Sequence, residues 1–144
     1  MTSLVIFYSR TGTTKKIANI VSEKLSCDCE EIFDTKNRLG FFGWLRSGKD
    51  AMMKKLTILK EITKNPESYD LIIIGTPIWS SNMSTPIRTY IADNKDKLKD
   101  VAFFCTEGSK GGKKESTMAF IDDGSPVSLI SGIILNHTMF SGFI

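Results

Sequence analysis

Apolar and polar positions follow two rhythms along this chain. Residues 4–8, Leu-Val-Ile-Phe-Tyr, form a short unbroken run of strand formers. The run breaks at residues 9–14. Apolar positions then return at Ile17, Ile20, Val21 and Leu25, the spacing of one helix face. This predicts a helix over 13–25, followed by a short strand near 30–33. Residues 69–75 are the clearest strand, because their apolar run is continuous rather than alternating and so marks a central parallel strand covered on both faces. Beyond them, Thr85 is placed to cap a helix with Pro86 at its first position and a buried stripe of Ile87, Tyr90 and Ile91. A fourth strand over 101–105, a short helix near 115–121 and a fifth strand near 127–135 complete the series. Strands and helices alternate throughout, which implies one α/β domain over 1–144 with a parallel sheet, right-handed crossovers and helices on both faces.

Residues 40–59 fit this rhythm least well. They read as a helix or an irregular crossover that covers one sheet face with Phe42, Leu45, Met52 and Leu56. A second reading has Phe41, Phe42 or Trp44 reaching the edge of a ligand. The same stretch has the Walker A glycine and lysine spacing, from Gly43 to Gly48 and Lys49. Asp50 then stands where a magnesium-binding Ser or Thr is required, and its carboxylate would repel a phosphate.

The chemistry lies in the turns. Ser9, Thr11, Thr13 and Thr14 place hydroxyl groups around Gly12, between a strand and a helix start. Backbone N–H groups at a helix start lack intrahelical partners, and the helix dipole adds positive character there. A hydroxyl-rich turn at that position suits a phosphate monoester. The alternative is a plain helix cap by Thr13 or Thr14, for which so many hydroxyls are not needed. Two further turns leave strand ends on the same side of the sheet, where ligands bind in such folds. One carries Thr76, Pro77, Ile78 and Trp79, with the indole on a loop. The other carries Cys105, Thr106, Glu107, Gly108 and Ser109, whose glycine admits close approach.

Composition removes several function classes. A net charge of +3 over 144 residues is too small to argue for nucleic acid. The odd count of 3 cysteines, with no secretory leader, points to a reducing, cytoplasmic setting. Cys27 and Cys29 lack the further ligands a metal needs, and the only histidine, His137, is distant in sequence, so no metal role and no Ser-His-Asp set is expected. A phosphatase loop starting at Cys105 would need Arg where Gly111 stands.

The pattern Ser9-Arg10-Thr11-Gly12-Thr13-Thr14 after an N-terminal strand resembles the FMN phosphate loop of flavodoxins. Gly75-Thr76-Pro77-Ile78-Trp79 is similar to the loop whose aromatic residue stacks on the flavin ring in short-chain members. Cys105-Thr106-Glu107-Gly108-Ser109 is similar to the loop that packs on the other side of the ring. The resemblance covers roughly residues 3–135 and implies a doubly wound five-stranded sheet of order 2-1-3-4-5. It implies that FMN is the cofactor, with Ser9, Arg10, Thr11, Gly12, Thr13 and Thr14 at its phosphate. Thr76, Pro77, Ile78 and Trp79 would form one ring wall, and Cys105, Thr106, Glu107, Gly108 and Ser109 the other. It also implies a low-potential one-electron carrier between redox protein partners, without catalytic residues. Two other readings stay open: a small FMN-dependent oxidoreductase acting on quinones or a porphyrinogen, and a binding module without FMN. The chain departs from electron-shuttling members in being slightly basic, and in Glu107, where small or aromatic residues are common.

The C-terminal stretch carries a further expectation. A flavodoxin sheet is covered by a helix after its fifth strand, but only residues 136–144 follow here, and none of residues 124–144 is Asp, Glu, Lys or Arg. The last helix is thus expected to be missing or very short. Val127, Leu129, Ile133 and Leu135 on one face and Ile130 and Ile134 on the other would leave an apolar face to be covered in a homodimer or larger assembly. Pro126, Asn136, His137 and several serines argue against a membrane anchor in this stretch.

Overall fold

The computed structural model describes residues 1–80, 82–107 and 128–136, with the backbone alone for Glu107 and for 128–136. Its sheet is built from β1 (Ser3–Phe7), β2 (Asp28–Glu31), β3 (Leu71–Trp79), β5 (Asp100–Glu107) and β6 (Ser128–Asn136), in the order β2-β1-β3-β5-β6. All four ladders along that path are parallel. This is the expected doubly wound order. A two-residue strand, β4 (Asn82–Met83), folds back antiparallel on the end of β3 and was not legible from periodicity. Among the described residues the α-helices are α1 (Thr13–Leu25), α2 (Gly40–Met52) and α3 (Thr85–Asn94). The expected helix near 115–121 and residues 137–144 lie outside the described residues.

The continuous apolar run of β3 is explained by its position. It lies between β1 and β5, and Ile72, Ile73 and Ile74 are all buried. Two cores share the strands. Leu4, Ile6, Ile72 and Ile74 face one side with Ile87 and Tyr90 of α3. Val5, Phe7 and Ile73 face the other with Ile17 and Ala18 of α1 and Phe104. Alternation along β1 thus feeds both layers.

Three local expectations are corrected. The cap residue of α3 is Ser84, with Thr85 and Pro86 already in the first turn, because the extended backbone ends at Ser84 (φ −62°, ψ 146°). β2 begins at Asp28, where pairing with Leu4 starts, rather than near Glu30. The third concerns α2. It is a helix, but Phe42, Leu45 and Met52 are exposed and so is Leu56 beyond it. Its inner side consists of Gly43, Ser47, Asp50 and Ala51. Close backbone approach selects that side: a Cβ on Gly43 would lie 2.2 Å from the carbonyl carbon of Arg38.

Candidate functional site

The carboxyl ends of β1, β3 and β5 come together at two adjoining cavities. The first, of about 200 Å³, is lined by Ser9, Arg10, Thr11, Thr13 and Thr14 from the first turn, Pro77, Ile78 and Trp79 from β3, Thr106 from β5, and Trp44 from α2. The second, of about 300 Å³, is lined mainly by apolar groups: Trp44, Leu45, Met52, Ile78 and Trp79, with Gly48, Lys49 and Ser80. Trp44, Ile78 and Trp79 border both. One space therefore offers hydroxyls and a cation, and the next offers flat, apolar walls.

The first turn is shaped by Gly12. Its φ of 101° lies in the left-handed region, which a side chain disfavours, and among the described residues no side chain caps the amides of α1. The cap reading of Thr13 or Thr14 is thereby corrected. Ser9 instead accepts the Gly12 N–H at its Oγ (3.0 Å), which closes the turn on itself. Thr11 is exposed, while Thr14 is buried, with its Oγ1 2.9 Å from Oγ1 of Thr106. That bond ties the first turn to β5 across 92 residues of sequence.

Trp79 is the last residue of β3 rather than part of a loop, and only 8% of it is exposed. Strand pairing with Asn82 extends β3 that far. The edge of Tyr8 meets its ring at 5.4 Å between centroids and 86° between planes. The Arg38 guanidinium lies over the ring, 5.3 Å from its centroid. Burial, and then the nearby Asp34 carboxylate, push the Tyr8 phenol up to about 12. Trp79 thus belongs to the core and still borders both cavities.

Other expected site residues have structural duties. The Thr76 hydroxyl accepts the Ser84 N–H at 3.0 Å and so holds the end of β3 to the start of α3; Thr76 lines neither cavity. Cys105 is fully buried in the sheet and also lines neither. The Glu107 side chain, Gly108 and Ser109 lie outside what is described.

Two features escaped the sequence reading. Trp44 joins the lining of both cavities from α2, a role raised only as an alternative for that stretch. Behind Trp79 is a buried ion cluster. The Arg38 Nε donates to Asp34 Oδ2 at 2.9 Å, its Nη1 reaches Asp50 Oδ2 at 3.2 Å, and Thr57 donates its hydroxyl to the same Asp34 oxygen at 3.0 Å. Asp34 and Arg38 stand in a non-helical segment before α2, so their i, i+4 spacing carried no helix-face signal for the pair. Nothing local marked Asp50, the residue that broke the Walker pattern, as a buried partner.

No curated protein matches the chain. Solved structures do. The flavoprotein of Lactobacillus acidophilus NCFM, solved in complex with FMN, is 23% identical, with 92% of each chain covered and a TM-score of 0.74. A candidate flavoprotein of Bacteroides uniformis ATCC 8492 is 27% identical, covering 94% of this chain and 90% of that one at a TM-score of 0.78. An NADPH-quinone reductase of P. pentosaceus is 11% identical, over 97% of this chain and 88% of its own, at a TM-score of 0.62. At that identity the likeness to the reductase is one of fold alone. Residues 2–142 also match the family model described as Flavodoxin, and with the sheet order and the strand-end site above this establishes that the chain belongs to the flavodoxin family.

Proposed function

We propose that this protein binds FMN across its two adjoining cavities and carries single electrons between redox proteins. The observation behind this reading is the division of the site into a hydroxyl-lined and an apolar space that share Trp44, Ile78 and Trp79. The residues present fit the cofactor. Among the described residues no side chain caps the amides at the start of α1, Thr11 is exposed beside them, and Arg10 is the cation in the same lining. These groups would hold the phosphate dianion. Trp79 and Ile78, with Trp44 across from α2, would hold the ring and keep water from it. Bound FMN would supply the redox chemistry, and the protein would position and tune it. Membership of the flavodoxin family supports carriage as the first reading.

A second reading is a small FMN-dependent oxidoreductase. The larger cavity favours it, because its open apolar walls would also admit a flat acceptor such as a quinone. Turnover with NAD(P)H and a quinone distinguishes the two readings. The cofactor itself is tested by affinity. Thr11→Val removes one donor to a charged group, worth about 1.5–3 kcal/mol, so FMN affinity should fall more than about tenfold while riboflavin affinity stays level. Equal affinities of the variant and the parent for FMN would reduce the loop to a helix start without a ligand.

A further inference from the structure

The outward side of α2 is unusually apolar for a helix facing water. Phe41 is 68% exposed, Phe42 82% and Trp44 55%. The three rings form one cluster: Phe41 meets Phe42 edge-on at 5.7 Å and lies nearly parallel to Trp44 at 6.3 Å between centroids. Leu39 before the cluster and Met52 and Met53 at the other end of α2 are exposed as well. A contiguous bare surface of this kind marks an interaction site.

Charge identifies the partner. From residue 39 to residue 57 the only carboxylate is Asp50, which is buried against Arg38. Arg46, Lys49, Lys54 and Lys55 in the same stretch are exposed, and Lys36, also exposed, reaches Asp50 from the preceding loop at 3.4 Å. The face is therefore both aromatic and uniformly cationic, in a chain whose net charge is only +3. A second copy of the chain would set these cations against one another. An acidic protein would need pockets matched to rings that stand out from a convex helix. An anionic bilayer needs neither match. It takes protruding aromatic groups into the boundary between headgroups and acyl chains, while Lys and Arg stems reach the headgroup phosphates.

We propose that α2 docks this protein peripherally on anionic lipid bilayers, with Phe41 and Phe42 inserted and Arg46, Lys49, Lys54 and Lys55 at the headgroups. Among the described residues no helix is long and apolar enough to cross a membrane, and the docking is to the surface. Trp44, Leu45, Lys49 and Met52 also line the larger cavity. Docking thus turns that cavity toward the bilayer, where a lipid-soluble acceptor would be met. The inference needs only the exposed rings and the charge, and it does not depend on FMN.

The test is co-sedimentation of the full chain, with and without FMN, with two kinds of vesicle: phosphatidylcholine alone, and phosphatidylcholine mixed with phosphatidylglycerol. The protein should sediment with the mixed vesicles and much less with the neutral ones, and added salt should release it. Phe41→Ser with Phe42→Ser, and separately Lys49→Glu with Lys54→Glu, should each lower partitioning by more than about tenfold. Because these side chains are exposed, thermal melts of the variants should match the parent. No sedimentation with either vesicle would overturn the proposal, as would partitioning that neither pair of substitutions alters. So would light scattering that shows a dimer which Phe41→Ser with Phe42→Ser dissociates, since the face would then belong to a second copy.

Discussion

Thr14 and Thr106 offer a direct measurement of how the first turn is held to the sheet. They are 2% and 4% exposed, and their hydroxyl oxygens are 2.9 Å apart. Thr14→Val keeps the shape and removes one hydroxyl. The Thr106 hydroxyl then loses its partner in a largely buried place, which costs about 1–3 kcal/mol. Both residues also border the smaller cavity, so water has access and the lower half of that range is expected. Thr106→Val should cost a similar amount. In the double variant two apolar groups face each other and no donor is left unpaired. Its loss should fall short of the sum of the singles by about 1 kcal/mol. The assay is urea unfolding of the apoprotein, since bound ligand would add its own stabilisation, with all four proteins compared at equal slope. Losses that add, within about 0.3–0.5 kcal/mol, would refute a shared hydrogen bond. The same variants bear on the cofactor: with its hydroxyl engaged by Thr106, Thr14 should matter less to FMN affinity than exposed Thr11.

Three other outcomes are expected. Trp79→Ala should destabilise the apoprotein by about 3–5 kcal/mol, and Trp79→Phe by far less, because the indole fills a core position; equal, mild losses in denaturant titrations would show that it does not. Gly75→Ala would place a Cβ 2.3 Å from Cζ of Phe104, so it should cost about 1–3 kcal/mol, partly restored by Phe104→Leu; an unchanged melting temperature would contradict this packing. The Thr2 backbone N–H, and then the Thr2 hydroxyl, hold the Asp70 carboxyl below its usual 3.8. Its folded value is depressed, so its contribution to stability is present above the unfolded value and is lost as pH falls through the folded one. Asp70→Asn should therefore flatten the acid limb of the stability–pH profile, and an identical limb in both proteins would exclude the contact.

The sequence by itself determined the elements whose signals are local. The bounds of α1 followed from its apolar spacing and the turn before it. The central place of β3 followed from a run of isoleucines that only a strand covered on both faces can bury. The strand-end position of the hydroxyl turn followed from strand–turn–helix order. Tertiary structure decided what depends on partners outside the element itself. The spacing of α2 suits burial of its large apolar side chains, yet Gly43, Ser47, Asp50 and Ala51 turn inward. The Arg38 backbone requires a residue without a Cβ at Gly43, and the Arg38 guanidinium requires a carboxylate at Asp50. Trp79 reads as a loop tryptophan until Asn82 pairs with it and extends the strand. Thr14 reads as one hydroxyl among several until Thr106 is brought beside it by the parallel order of β1, β3 and β5. Periodicity records which residues an element could bury, whereas the partner across the interface decides which of them it does bury.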